Sequence, residues 1–172
     1  KKMSHLSHGL MVDTEGRKLS SRLGNAVTAT ELVASVIART KDKNEDPVIA
    51  QQVAVGAIKY MILRQAPGGN IIFDEEKSLS LEGDSGPYLQ YALVRARKIL
   101  SYASESAGAE VPEAPYAIER TILHFPYVVA HAARERAPQH ITQYLTALAG
   151  EWNSFYASEQ VLGSTEEAYK QK

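Results

Sequence analysis

Five of the seven prolines, Pro47, Pro87, Pro115, Pro126 and Pro138, stand where a helix would begin. A proline ring sets φ near the helical value and removes a backbone donor, so it suits a helix's first turn and breaks its interior. A chain punctuated this way is parcelled into a series of medium helices. Asp46 before Pro47 adds an N-cap. The first helix then runs to about Gln65, with Ile49, Val53, Ala57 and Met61 on one face. The next opens at Pro87 and reaches about Ser104. After a linker, "SAGAEVPEAP", the remaining prolines predict helices over 115–124, 126–136 and 138–157. In the last of these Ile141, Leu145, Leu148, Trp152 and Phe155 recur at helical spacing. Ser164 to Lys172 is expected to add a short helix. The second half therefore reads as a helical bundle.

The first half is mixed. "HLSHGLMV", His5 to Val12, is apolar-leaning and reads as a strand. A loop from Gly16 to Asn25 follows. Thr28, with Glu31 three residues on, opens a helix with a capping box. "KDKNED" breaks it. "APGGN" is a turn, and "IIFDEEKSLSLEG" is an extended entry to a short helix from about Asp74. The first 40 residues resemble the end of an α/β region, and a boundary falls near Gly83–Gly86. The chain starts straight into a strand-like stretch, as expected of a fragment.

Composition mainly excludes. The formal net charge is −1, so no global field draws in nucleic acid, although a local basic face remains compatible with that average. With no cysteine, neither a disulfide scaffold nor a thiolate zinc site can form, and a reducing compartment fits. No apolar run approaches the roughly 18 residues a membrane span needs, and no signal peptide is visible.

Two segments carry candidate chemistry. In "GRKLSSRLGN", Lys18 and Arg22 supply charge, Ser20 and Ser21 supply hydroxyl donors, and Gly16 and Gly24 permit tight turns. The positive end of the Thr28 helix lies just beyond. Such a loop is either a solvated turn or a phosphate holder. The helix from Pro87 has two stripes. Leu89, Leu93, Ala96, Leu100 and Ala103 are assigned to the core. Tyr88, Tyr91, Arg95, Lys98 and Tyr102 share another face. Interleaved rings and cations suit unpaired nucleotides, with rings stacking on bases and cations meeting phosphates. The alternative is that the tyrosines sit half-buried between helices. His5 and His8 point to opposite faces of a strand, and His124, His131 and His140 are scattered over the predicted helices. No metal site is expected. No nucleophile elbow or P-loop pattern occurs.

Three segments together resemble the C-terminal part of the arginyl-tRNA synthetase family, a class I aminoacyl-tRNA synthetase family. "HLSHGLMVDTEGRKLSSRLGN" is similar to the strand and loop bearing its KMSKS signature. "VAVGAIKYMILRQAPGGNIIFDEEKSLSLEGDSGPYLQYALVRARKIL" resembles its helical connector and the first helix of its anticodon-binding domain. "PQHITQYLTALAGEWNSFYASEQVL" resembles a later helix of that domain, the DALR type. The resemblance implies a mainly α fold: a helical bundle preceded by a short α/β remnant of a Rossmann-type catalytic domain. It divides the chain into the end of the catalytic domain (1–40), a connector (41–84) and the bundle (85–172), whose final helix is expected to be missing.

The implied reaction joins arginine to ATP as arginyl-adenylate, then passes arginine to its tRNA. ATP is a substrate, with Mg2+ in the full enzyme and no tightly bound cofactor in this chain. By position Lys18 matches the first lysine of KMSKS and Ser20 its first serine, while Ser21 stands at the second lysine and Arg22 at the last serine. Lys18, Ser20, Ser21 and Arg22 are thus the candidate catalytic residues, and Lys18, Ser20 and Gly24 the candidate ATP-phosphate contacts. Arg22 or Arg17 would replace the missing cation. On the tRNA side, Tyr88 and Tyr91 of "PYLQYA" match family tyrosines, Tyr156 falls where "FY" contributes another aromatic, Gln90 is a further candidate, and Arg95 and Lys98 join them from the stripe. The family's HIGH motif is absent, so the chain alone is expected to be inactive. The implied partner is an arginine tRNA, with neither DNA nor membrane, and the chain is expected to be a cytoplasmic monomer. A stand-alone, non-catalytic tRNA-binding module is the alternative. A cysteinyl-type synthetase is disfavoured by "GPYLQYA" and by the lack of zinc ligands.

Overall fold

The computed structural model describes residue 3 and residues 5–19, 28–42, 44–102 and 114–158. Strand β1 (Met11–Val12) precedes helices α1 (Ala29–Lys41) and α2 (Pro47–Leu63). Strand β2 (Ile71–Ile72) and the single-turn helix α3 (Glu75–Ser78) follow. The bundle helices are α4 (Gly86–Leu100), α5 (Ala117–Leu123), α6 (Phe125–Glu135) and α7 (Gln139–Ser158). The fold is mainly helical with a small parallel sheet. Among the described residues, no helix is long and apolar enough to cross a membrane.

β1 pairs with β2 in parallel, Met11 opposite Ile71 and Val12 opposite Ile72. Parallel neighbours need a long crossover, and α1 and α2 supply it. Of the strand expected over His5–Val12, only Met11 and Val12 form β1; just before it, the Leu10 carbonyl accepts from the Ile71 amide at 2.8 Å and the Leu10 amide donates to Asn70 Oδ1 at 3.1 Å. Farther back, Gly9 and Gly69 touch through their backbones, a Cβ on Gly9 falling 2.0 Å from the Gly69 carbonyl oxygen.

The expected helix starts are present. Thr28 Oγ1 accepts from the Glu31 amide at 3.2 Å and the Glu31 carboxylate accepts from the Thr28 amide at 2.8 Å, closing a capping box. Asp46 accepts from the Val48 amide at 2.8 Å, ahead of Pro47. Ser85 caps α4 through the Tyr88 amide. α6 stops where Arg136 turns left-handed (φ 53°) and the Ala137 amide reaches back to the Ala132 carbonyl, a Schellman closure. The segment Ser164–Lys172 lies outside the described residues.

One core joins α1 and α2 to the sheet: Leu32, Val36, Ala54, Ala57 and Leu79 are buried, with Met11, Val53 and Phe73 packed on them. The face of α2 differs from expectation. Ala50, Ala54, Ala57, Tyr60 and Met61 are buried, whereas Ile49 is exposed. α2 lies between α1 and α4, and close helix approach selects small residues. A Cβ on Gly86 would sit 2.4 Å from the Gly56 carbonyl oxygen, so the start of α4 meets α2 backbone to backbone.

A polar joint fastens the bundle to this core. The buried Tyr60 hydroxyl of α2 donates to Asp84 and hydrogen-bonds Thr146 of α7. Arg64 pairs with the Asp84 carboxylate at 3.2 Å. Burial, then the Asp84 carboxylate, push the Tyr60 hydroxyl up to about 12.

The stripe Leu89–Leu93–Ala96–Leu100 is not a closed core among the described residues. Leu93 is 49% and Leu100 69% exposed, while Pro87 and Ala92, outside the stripe, are buried. With Ile118, Leu145 and Trp152 the stripe lines an apolar groove of about 630 Å³.

Candidate nucleic-acid interface

Where α4 and α7 run side by side, four side chains converge. Tyr91 and Arg95 stand one turn apart on α4; Asn153 and Tyr156 stand three residues apart on α7. The Arg95 guanidinium lies 4.2 Å from the centroid of the Tyr91 ring and 4.9 Å from that of Tyr156. Its Nη2 donates to the Tyr91 hydroxyl at 2.7 Å and its Nη1 to Asn153 Oδ1 at 3.1 Å. Both tyrosines remain 39% exposed. Planar cation and rings attract through the ring quadrupole, each contact contributing about 0.5–1 kcal/mol at an exposed site.

One turn farther along α4, Lys98 Nζ sits 5.2 Å from the centroid of the exposed Tyr102 ring. A hydrogen bond with Tyr102 holds the Lys98 ammonium above its ordinary value, so it is charged throughout the neutral range. The face thus combines rings and cations, the arrangement that stacks on bases and meets phosphates.

Not every candidate belongs to it. Tyr88 is half-buried, its hydroxyl 4.0 Å from where a Cβ on Gly150 of α7 would sit. Gln90 lies apart from the face: its Nε2 donates to the Gln52 carbonyl of α2 at 3.1 Å, so it serves the α2–α4 contact. Asn153 was not among the residues expected from sequence. Its spacing of three before Tyr156 on one helix was the available signal, and only the crossing of α4 and α7 gives it a partner.

The other candidate segment is partly described. Asp13 accepts from the amides of Glu15 and Arg17 at 3.0 and 2.8 Å, and Gly16 turns the chain with φ 79°. Lys18 pairs with Val12 in an antiparallel bridge beside β1. Arg17 is ion-paired with Asp13 and Glu15, both at 2.8 Å. Hydrogen bonds from the Arg17 side chain and amide hold the Asp13 carboxyl below its ordinary value. Arg17 is therefore already matched by carboxylates. Ser20, Ser21, Arg22 and Gly24 lie outside the described residues.

The histidines are less scattered than expected. The His131 and His140 rings meet at 4.5 Å, and Tyr127 stacks on His131 at 6.0 Å. Arg134 Nη2 lies 2.9 Å from His131 Nδ1. Among the described residues no three His, Asp or Glu side chains converge as metal ligands.

A helical bundle presenting this ring-and-cation face belongs to a class of RNA-binding domain: residues 89–172 match the family model of the DALR anticodon-binding domain. Comparison with whole proteins narrows the class. The arginine–tRNA ligase of Thermus thermophilus is 36% identical over 172 aligned residues, covering 92% of this chain and 29% of that protein. That of Pyrobaculum aerophilum is 35% identical, covering 96% and 28%. The solved Thermus thermophilus arginyl-tRNA synthetase superposes with a TM-score of 0.84 at 34% identity, covering 96% of this chain and 30% of that one. The chain belongs to the arginyl-tRNA synthetase family, and it spans about 29% of the length of the first of these relatives.

Proposed function

We propose that the chain supplies two parts of an arginine–tRNA ligase: a phosphate-stabilising loop around Lys18 and an anticodon-stem/loop-binding bundle. The complete enzyme joins arginine and ATP into arginyl-adenylate and pyrophosphate, then transfers arginine to the terminal ribose of its tRNA. Residues 1–40 serve the catalytic side, 41–84 connect, and 85–172 bind tRNA. The observation that carries the tRNA reading is the Arg95 guanidinium held between the exposed Tyr91 and Tyr156 rings, within the segment matching the anticodon-binding family. Tyr91, Arg95, Lys98 and Tyr156 are the tRNA-binding residues on this reading. Tyr88 contributes from beneath by packing on α7.

In the loop, Lys18 and Ser20 meet the ATP phosphates. Arg17 already answers two carboxylates, which favours Arg22 as the second cation. Mg2+ accompanies ATP in the full enzyme on this reading.

Arginine-dependent ATP–pyrophosphate exchange, with and without arginine tRNA, tests the catalytic reading on this chain and on the full-length gene product. Exchange is expected in the full-length protein and absent from the chain alone; exchange by the chain alone refutes the division. Filter binding tests the tRNA reading. Tyr91→Ala is expected to weaken arginine tRNA binding by about 1–3 kcal/mol, the range for losing one base stack. Unchanged affinity would make the tyrosine a packing residue.

A further inference from the structure

We propose that Asn153 is a positioning residue for RNA binding, acting through the Arg95 guanidinium; this rests on the reading of the α4–α7 face as the tRNA interface. Arg95 is confined in two ways. The rings of Tyr91 and Tyr156 hold the guanidinium carbon at 4.2 and 4.9 Å from their centroids. Those ring contacts alone leave the fork free to turn. Two hydrogen bonds remove that freedom: Nη2 to the Tyr91 hydroxyl at 2.7 Å and Nη1 to Asn153 Oδ1 at 3.1 Å.

The two anchors differ in kind. Tyr91 sits one turn from Arg95 on the same helix, so its bond is local to α4. Asn153 comes from α7, and among the described residues its hydrogen bond is the one that ties the direction of the guanidinium fork to the second helix of the interface. The fork has more N–H donors than these two bonds use. Fixing it therefore aims the others at an acceptor, either a phosphate oxygen or a base edge of an unpaired nucleotide.

The chemistry at position 153 also matters. An amide oxygen accepts from the cation without neutralising it. A carboxylate at the same place would form an ion pair, keep the geometry and cancel the charge that meets phosphate. Orientation and charge are thereby separable by mutation.

The test is a binding cycle on this 172-residue chain, using an arginine tRNA transcript, with thermal melting of each variant. Asn153→Ala is expected to weaken binding about tenfold, the scale of one hydrogen bond to a charged group. Arg95→Ala is expected to weaken it at least as much. The double variant is expected to bind no more weakly than Arg95→Ala, because Asn153 acts through that side chain. Asn153→Asp keeps an acceptor and is expected to lower the slope of log affinity against log salt by about 0.7, the value for one single-strand phosphate contact. Unchanged affinity in Asn153→Ala, or losses that add fully in the double variant, would overturn the proposal. Should Asn153→Ala melt early, an unchanged salt slope in Asn153→Asp overturns it instead. If Arg95→Ala and Tyr91→Ala both bind like the unaltered chain, the tRNA-interface reading fails first and takes this inference with it.

Discussion

Raising the pH should loosen the joint between α2 and the bundle, and Tyr60 sets the scale. Its hydroxyl is buried, donates to Asp84 and meets Thr146 of α7. Ionisation would place a phenolate beside a carboxylate in a site that already disfavours charge, so the folded state holds the proton up to about 12 against the ordinary 10.0. The unfolded chain releases it near 10, so the Tyr60 contribution is complete below pH 10 and is lost as pH rises toward 12. Each pH unit of that window is worth about 1.4 kcal/mol. The loss is about 1.4 kcal/mol by about pH 11 and about 2–3 kcal/mol when complete. The chain has nine tyrosines, and burial also raises Tyr144, so the whole curve cannot be assigned to one group. Comparison with Tyr60→Phe isolates it. That variant should lose about 1 kcal/mol at neutral pH, from the missing hydrogen bonds, and should then decline less between about pH 9 and 11. Urea unfolding followed by far-ultraviolet circular dichroism reads both. Parallel curves for the two proteins would refute Tyr60 as the titrating group of the joint.

Three further outcomes are expected. Gly86→Ala drives a Cβ to 2.4 Å from the Gly56 carbonyl oxygen; the obstacle is backbone, so α2 and α4 must part, and urea unfolding should show a loss of about 1–3 kcal/mol. An unchanged urea midpoint would contradict the close approach. Thr28→Ala removes one half of the α1 capping box and should cost about 1 kcal/mol with some loss of helical signal; equal stability would mean the cap is idle. In the complete enzyme, Lys18→Ala should slow arginine-dependent ATP–pyrophosphate exchange more than it weakens tRNA binding, and equal losses would refute that division of roles.

Much of this architecture could be read residue by residue because its signals are local. Caps at Thr28 and Asp46, and prolines within two residues of a helix start, act within one turn of chain. They mark helix starts whatever packs against them. The tyrosine-and-cation stripe of α4 is local for the same reason: spacings of three and four place residues on one face before any partner is chosen. Other features depended on contacts between segments far apart in sequence. Only the pairing with Ile71 and Ile72 reduced an eight-residue strand-like stretch to Met11–Val12, since a strand needs a neighbour. Only the approach of α1 and α4 decided which side of α2 is buried, and it favoured alanine and glycine over Ile49. The same holds for the interface. Tyr91, Arg95 and Tyr156 were visible as residue types, but the guanidinium between two rings and its anchor Asn153 exist only where α7 crosses α4. The residues at that crossing are 58 apart in sequence, and no local pattern couples them. Periodicity selects a face, and packing decides what that face meets.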